Sequence, residues 1–318
     1  MSFSQEVKEE LIRLPLGKSC CTLRELCALV QTNASLSFLG AGRFRLTFET
    51  ESTPLARRIF LLCRQELNAT PVLHFVSHPR FGGRRSCVLT LEGDHARQLM
   101  EELRMMERDA DGVLSFRRTV PRCEITRACC AKAFLRAAFL GSGNIISPEK
   151  EYHLEIVSDT EAFTHQLLRV LERVGIQAHV ISRGSRQMIY LKESSAIVAF
   201  LGQIGAHRAL MKMENVRASK TIRNQVNRMM NCDHGNMEKQ LDAAQNQVDA
   251  ISSLAISKGL ESLPPALREV ARLRLSRPDA SIAELAQMVS PPISKSGMNH
   301  RLRRIMALAA RAEESLKK

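Results

Sequence analysis

The sequence contains no apolar run approaching the roughly 20 residues that a membrane-spanning helix needs. Its first 14 residues carry acids instead of the basic and then apolar residues of an export signal. The chain has only 11 Pro in 318 residues, with 44% hydrophobic and 25% charged residues, which is typical of a folded protein and not of a disordered or fibrous one. We therefore expect a cytoplasmic protein of two or three domains, with no membrane partner.

Common enzyme motifs are also missing. The chain contains no G-x-x-x-x-G-K-[ST] phosphate loop, no H-E-x-x-H motif and no C-x-x-C pair. Its nine cysteines, in a chain without an export signal, are expected to be reduced thiols. No motif therefore suggests an enzyme class, and we predict no cofactor.

Positive charge, in contrast, is abundant. The formal net charge is +13, and residues 258–318 hold 12 Lys or Arg against 6 Asp or Glu, a net charge of +6. Clustered Lys and Arg gain affinity for a polyanion by releasing counterions from its phosphates. The charge favours a nucleic acid or an acidic lipid as partner and does not choose between them.

Two parts of the chain resemble each other. Cys20-Cys21 opens an apolar helix, and 109 residues later Cys129-Cys130 opens another. Each helix is followed by a short polar turn, a strand, an amphipathic helix and a second pair of strands, which turn at residues 81–84 and 183–186. The first strands are predicted at Arg43 to Thr50 and Tyr152 to Ser158, and the amphipathic helices at Leu55 to Leu67 and Phe163 to Val174. Self-similarity at a fixed offset predicts two copies of one α/β unit about a pseudo-twofold axis.

The first helix of each copy carries a more specific signal. Leu135 to Gly143 is similar to the nine-residue signature helix of LAGLIDADG homing endonucleases, and Leu26 to Ala34 looks like a weaker copy. In that family two such helices pack side by side and need small residues at the contact. Both helices supply them, at Ala28, Ala34, Ala137, Ala138, Gly141 and Gly143. The resemblance implies an α+β fold with a duplicated homing-endonuclease-like body.

The positions that would hold the catalytic metal carry no acid. Cleavage of a phosphodiester with Mg²⁺ needs anionic oxygen ligands at the foot of each signature helix. The matching residues are Asn33 and Ser142, which supply no negative charge. Glu49, Glu155 and Asp159 lie nearby, but on predicted strands or strand ends whose faces are usually solvated. We predict no catalytic residues, no metal ligands and no enzyme activity.

The adjacent cysteine pairs leave two interpretations open. If the signature helices pack side by side, four thiols gather at their starts. Cysteine suits a small buried position, and adjacent cysteines are poor chelate spacing compared with C-x-x-C. We predict a packing role, with a metal or redox role as the alternative.

Basic residues before the C-terminal region are candidates for secondary DNA contacts. Alternation on the predicted strand places Arg43 and Arg45 on the face opposite Phe44, Leu46 and Phe48. Further along lie Lys220, Arg223 and Arg228, at the start of a predicted helical linker. The alternative for Arg43 and Arg45 is a face that binds a protein partner, and the alternative for Lys220, Arg223 and Arg228 is a solvated helix face.

The C-terminal region predicts three short helices, at Pro265 to Ser276, Ser281 to Met288 and Ser294 to about Ala310. Pro265 suits a first helical position, and Ser281 and Ser294 suit N-caps. Ser290-Pro291-Pro292-Ile293 breaks the chain between the second and third helices. This spacing is typical of a helix-turn-helix.

The third of these helices has one apolar stripe, formed by Met298, Leu302 and Ile305. Asn299 and Arg303 lie off that stripe and could address base edges, whereas Lys295 and Arg301 flank them at positions suited to phosphate. The full predicted DNA-binding set is Ser294, Lys295, Ser296, Asn299, His300, Arg301, Arg303 and Arg304. The alternative is a three-helix cap with a merely solvated basic helix.

Over the whole chain, the order of parts resembles the WhiA family of bacterial sporulation and cell-division regulators. The most telling stretches are residues 200–207, 226–232 and 293–305, together with the opening Ser2 to Gln5. The resemblance implies a nucleoid-associated, sequence-specific regulator with roles in sporulation, cell division and chromosome segregation. It also implies a second transcription regulator or a cell-division protein as a candidate partner.

We therefore predict four parts: a first repeat with an N-terminal helix in residues 1–127, a second repeat in 128–213, a helical linker in 214–257 and an all-α helix-turn-helix DNA-binding domain in 258–318. The predicted function is transcription regulation through double-stranded DNA. A structural nucleoid protein would need no base-reading pair such as Asn299 with Arg303. An active endonuclease is disfavoured by Asn33 and Ser142.

Overall fold

The structure is a computed structural model that describes residues 2–316, except 41–42, 79–83, 109–113, 117–124 and 185. The first predicted turn, at 81–84, lies almost wholly outside the described residues, and so does residue 185 of the second. The chain divides into two compact units, Met1–Lys220 and Thr221–Lys318. No helix among the described residues is both long enough and apolar enough to cross a membrane.

The first repeat is a four-stranded antiparallel sheet with helices packed on it. Its elements are α1 (Phe3–Ile12), α2 (Ser19–Asn33), β1 (Ala34–Phe38), β2 (Phe44–Thr50), α3 (Thr53–Leu67), β3 (Val72–His78), β4 (Arg84–Glu92) and α4 (Gly93–Glu102). The strand order is β1-β2-β4-β3. A separate two-stranded sheet of β5 (Met106–Arg108) and β6 (Leu114–Phe116) follows.

The second repeat has the same plan. Its elements are α5 (Ala128–Ser142), β7 (Gly143–Ile145), β8 (Leu154–Ser158), α6 (Glu161–Arg173), β9 (His179–Arg183), β10 (Arg186–Leu191) and α7 (Ser194–Ile204). The strand order β7-β8-β10-β9 matches that of the first sheet, element for element. The duplicated α/β body predicted from the sequence is therefore confirmed.

The signature helices α2 and α5 pack side by side and in parallel. At their starts, the Cys130 thiol lies 3.5 Å from the carbonyl oxygen of Cys20. At their ends, Gly141 lies so close to α2 that a Cβ there would stand 2.1 Å from Oγ1 of Thr32. Because the two contacts lie at opposite ends of the helices, the repeats share one helix-helix interface at the pseudo-twofold axis.

The predicted alternation on β2 is confirmed, because Phe44, Leu46 and Phe48 are buried while Arg45 and Glu49 are exposed. The polar turn predicted after each signature helix is wrong. The chain instead passes directly from α2 into β1 and from α5 into β7. Each of these strands forms an edge of its sheet and begins at the residue that follows its helix.

The second unit is helical. It contains the C-terminal part of α8 (His207–Ser257), a 3₁₀ turn (Leu260–Ser262), α9 (Pro265–Ser276), α10 (Ile282–Met288) and α11 (Lys295–Leu316). Ile251 and Leu254 near the end of α8 join a core built from α9, α10 and α11. The three short helices predicted from sequence are all present, and the last is longer than expected.

Candidate nucleic-acid interface

The turn between α9 and α10 is held by a buried arginine. The side chain of Arg274 is 1% exposed, and its Nη1 donates to the carbonyl oxygens of Pro278 at 3.2 Å and Ala280 at 2.6 Å. Burial lowers the pKa of this guanidinium. From sequence, Arg274 counted only as positive charge, whereas in the structure it fixes the loop that leads into α10.

A capping box starts α10. The backbone N–H of Glu284 donates to Oγ of Ser281 at 3.2 Å, and the backbone N–H of Ser281 donates to Oε2 of Glu284 at 2.7 Å. The Ser281 backbone hydrogen bond lowers the pKa of the Glu284 carboxyl group. The predicted N-cap at Ser281 is confirmed.

The turn between α10 and α11 is tied to the two helices before it. The backbone N–H of Ser290 donates to Oε1 of Glu269 on α9 at 3.2 Å, and that of Ile293 donates to the carbonyl oxygen of Ala286 on α10 at 3.0 Å. Ser294 then caps α11, since its Oγ accepts from the backbone N–H of Gly297 at 3.1 Å. The start of α11 is therefore held at a fixed position relative to α9 and α10.

On α11 the predicted apolar stripe is confirmed. Met298, Leu302 and Ile305 are each no more than 1% exposed, and Ala309 and Ala312 extend the same buried line. Six predicted DNA-contacting residues are exposed: Ser294, Lys295, Ser296, His300, Arg303 and Arg304. Asn299 and Arg301 are half-buried and border the exposed set on its two sides.

The emptied metal positions lie together at the ends of the signature helices and have taken on other contacts. The amide nitrogen of Asn33 donates to the carbonyl oxygen of Glu49 at 3.2 Å, and its amide oxygen accepts from the Thr32 hydroxyl at 2.8 Å. The Ser142 hydroxyl donates back to the carbonyl oxygen of Ala138 at 3.5 Å. Both side chains now support the local backbone.

The neighbouring acids are paired with other side chains. Glu155 contacts His153 and Asn144, and Asp159 contacts Arg186 at 3.0 Å. Within the described parts of the chain, the one group of three or more side chains placed to hold a metal ion is the cluster of Cys20, Cys21, Cys129 and Cys130. This cluster consists of thiols alone, which are soft ligands and not the oxygen ligands that Mg²⁺ needs.

Three family models together match most of the chain. The WhiA N-terminal LAGLIDADG-like domain matches residues 19–106, the WhiA LAGLIDADG-like domain residues 131–223 and the WhiA C-terminal HTH domain residues 226–309. A probable cell division protein WhiA from Heliobacterium modesticaldum is 43% identical over 310 residues, which cover 97% of this chain and 96% of that one. The chain belongs to the WhiA family.

Other WhiA proteins match over similar lengths. A probable cell division protein WhiA from Desulfitobacterium hafniense strain Y51 is 40% identical and covers 100% of this chain and 98% of its own. The crystal structure of full-length DUF199/WhiA from Thermatoga maritima superposes with a TM-score of 0.59 at 25% identity, over 98% of this chain and 99% of that one. The proteins from Heliobacterium modesticaldum and Desulfitobacterium hafniense are both named as cell division proteins and not as enzymes.

The secondary basic candidates in this WhiA chain belong to both compact units and differ in their contacts. Arg43 is exposed, and Arg45 is paired with Glu92 at 2.5 Å. Nζ of Lys220 donates to the carbonyl oxygen of Pro148 and lies 4.7 Å from the centre of the Tyr152 ring. Arg223 and Arg228 are exposed on α8, where Arg228 donates to the carbonyl oxygen of Asn224.

A buried ion cluster in the WhiA body was not predicted from the sequence. Glu25 on α2 pairs with Arg58 on α3 and Arg136 on α5, and all three side chains are at most 16% exposed. The signal was present, since Glu25 lies beside Leu26, Cys27 and Ala28 in a helix that was expected to be buried. This cluster joins α3 of the first repeat to the shared interface.

Proposed function

We propose that this chain is a transcription regulator that reads specific DNA sequences with the first three turns of α11. The observation that supports this most directly is the exposed polar face of α11, opposite a fully buried apolar stripe, within a region that matches an HTH domain. A role in cell division is proposed because the relatives are named as cell division proteins. Roles in sporulation and chromosome segregation are proposed because the chain belongs to the WhiA family.

The proposal assigns base reading to Asn299 and Arg303. The two residues are four apart on α11, so they lie on neighbouring turns and can enter a major groove together. An amide pairs with adenine and a guanidinium with guanine, and each good pair contributes about 1–3 kcal/mol of discrimination. Ser296 and His300 lie on the same exposed face and complete the reading surface.

Backbone positioning is assigned to residues around this face. Lys295 in the first turn and Arg301 at the side are placed where phosphates flank a docked helix. Ser294 lies at the N-terminus of α11, where the positive end of the helix dipole favours a phosphate of the bound DNA. Arg304 lies on the exposed side beside Arg303 and is assigned to phosphate as well.

A binding-site selection on the full chain tests these assignments. Asn299→Ala and Arg303→Ala should each relax the preference at one or two base positions while nonspecific affinity stays nearly constant. Lys295→Ala and Arg301→Ala should weaken binding to all sequences and reduce the salt slope by about one each. Arg272→Ala is the matched control, because it removes an exposed arginine of α9 that is paired with Glu261 and is not assigned to DNA.

Two outcomes would contradict the proposal. If the four α11 variants keep the wild-type motif and differ only in strength, α11 does not read bases as assigned. If the wild-type chain binds promoter and random DNA equally at physiological salt, the chain is a structural nucleoid protein and not a specific regulator.

A further inference from the structure

Four thiols from two distant parts of the chain meet at the N-terminal ends of α2 and α5. Cys20 and Cys21 lie in the first turn of α2, and Cys129 and Cys130 lie in the first turn of α5. Their four Sγ atoms all lie within 4.8 Å of one another. Cys21 and Cys130 are buried, Cys20 is half-buried and Cys129 is exposed, so the cluster can be reached from solvent on one side.

The spacing of the sulfur atoms is close to that of a tetrathiolate metal site. A tetrahedral ion with metal-sulfur bonds of about 2.3 Å holds its four sulfurs about 3.8 Å apart. The Sγ atoms of Cys20 and Cys21 are already 3.9 Å apart. Since no two of the four sulfurs lie more than 4.8 Å apart, each separation has to shorten by at most about 1 Å, which side-chain rotation can supply.

The positive charges around the cluster also favour negative charge on the cysteine sulfurs. Lys18 and Arg127 occupy the N-cap positions of α2 and α5, and neither makes a side-chain capping hydrogen bond. A cation at the positive end of a helix dipole is unfavourable unless negative charge lies beside it. Nη1 of Arg127 lies 3.9 Å from Sγ of Cys20. Thiolates bound to a divalent cation would supply that negative charge at both helix ends.

A disulfide would use this cluster less completely. One disulfide joins two of the four thiols, whereas a tetrahedral soft cation binds all four, and all four Sγ atoms already lie within 4.8 Å of one another. The cation displaces the thiol protons when it binds.

We propose that Cys20, Cys21, Cys129 and Cys130 bind one soft divalent cation of the Zn²⁺ class, which clamps the two repeats together at the start of their shared helix pair. The ion is structural. It lies about 20 Å from Asn33 and Ser142, since thirteen residues of helix at about 1.5 Å each separate the two ends. The site is therefore distinct from the emptied nuclease positions, and it replaces the packing role predicted from the sequence.

Metal titration of the reduced, metal-free full chain tests the proposal. Co²⁺ should bind once per chain and give the near-ultraviolet charge-transfer band and strong visible bands of tetrahedral cobalt-thiolate, which Zn²⁺ then displaces. Zn²⁺ should also raise the unfolding temperature of the body. A double variant, Cys20→Ser with Cys129→Ser, should lose the bands and the stabilisation. Cys232→Ser is the control, because it removes an exposed thiol of the second unit and should change neither signal.

Three results would overturn the proposal. The first is a wild-type chain without cobalt-thiolate bands, and the second is a double variant that keeps them. The third is a chain that forms a disulfide among these cysteines under mild oxidation and takes up no Zn²⁺, which would make the cluster a redox site. If the double variant fails to fold, the single variant Cys129→Ser decides, since its side chain is exposed and it should shift the cobalt bands toward a three-thiolate spectrum.

Discussion

Glu25 and Arg58 form a fully buried ion pair in which both carboxylate oxygens are used. Nε of Arg58 donates to Oε2 at 2.8 Å and Nη2 donates to Oε1 at 2.9 Å. Nη1 of Arg58 donates to the carbonyl oxygens of Ile12 and Leu14, at 3.2 and 2.8 Å. The pair therefore fixes the segment that joins α1 to α2 as well as the packing of α2 on α3.

Breaking this pair should destabilise the body strongly. Arg58→Met leaves the Glu25 carboxylate buried with only Arg136, and we expect a loss of about 3–5 kcal/mol in the free energy of unfolding. Urea denaturation of the full chain measures it. Arg13→Met breaks an exposed pair with Glu9 on α1 and should cost no more than about 1 kcal/mol. If the two variants lose the same unfolding free energy, the buried Glu25–Arg58 pair is no more important for stability than the exposed pair.

The approach of the signature helices at Gly141 gives a second prediction. A Cβ at this position would lie 2.1 Å from Oγ1 of Thr32 and 2.4 Å from Oδ1 of Asn33, so Gly141→Ala should cost about 1–3 kcal/mol through forced displacement of α2. Gly235→Ala is the matched substitution within a helix, since nothing lies within 4 Å of its Cβ position. That change should stabilise α8 by up to about 1 kcal/mol. Thermal unfolding of both variants compares them.

Restoring acids at the emptied positions should not restore cleavage. Asn33→Asp removes the donor to the Glu49 carbonyl oxygen, and we expect the loss of this exposed hydrogen bond to cost no more than about 1 kcal/mol. Asn33→Asp with Ser142→Asp should remain inactive on plasmid DNA with Mg²⁺ or Mn²⁺, as should the wild-type chain. Metal-dependent nicking by the purified wild type would contradict the loss of activity.

The outer face of β2 gives a prediction about DNA contact by the body. Arg43→Ala should lower the salt slope of DNA binding by about one if this face touches phosphate. Arg45→Ala should change it less, because Arg45 already pairs with Glu92. Salt titrations of operator binding by the two variants measure the slopes. An unchanged slope in both would instead favour a protein partner on this face.

Cys63 gives a pH dependence with a definite sign. Burial raises the pKa of this thiol to about 12 in the folded chain, whereas an exposed thiol ionises near about 8.5. Above about pH 9 the unfolded chain therefore loses this proton and the folded chain keeps it, so stability falls as pH rises toward 12. Cys63→Ala should show a shallower alkaline loss of unfolding free energy than the wild type. Cys232→Ala, at an exposed thiol, should follow the wild type.

The parts of this fold that could be predicted are those in which the spacing of apolar residues alone determines which face is buried. The stripe of Met298, Leu302 and Ile305 and the alternation around Phe44 to Phe48 are direct consequences of helix and strand periodicity. The edge strands β1 and β7 escaped notice because they are short and follow directly on a helix, with no loop between the two elements. The Glu25 cluster escaped because its three charges come from segments far apart in sequence.

The site was predictable to a similar degree. The residues of α11 follow from the spacing around the Pro291-Pro292 break, which marks where the helix starts. The half-buried positions of Asn299 and Arg301 could not be read off that spacing, because they depend on how closely α9 and α10 pack around α11. Their assigned contacts to bases and phosphates stay predictions until the binding-site selection is done.

The Glu25 cluster also bears on why the two repeats are joined in one chain. At the offset of 109 residues that relates the repeats, the counterpart of Glu25 is Phe134, which is fully buried. A homodimer of identical subunits would have to place a carboxylate at both positions, on either side of the axis. Fusion removes that constraint, so one acid can serve arginines from both halves while an aromatic ring fills the equivalent space. The interface has thereby become asymmetric, since its buried carboxylate comes from one repeat alone.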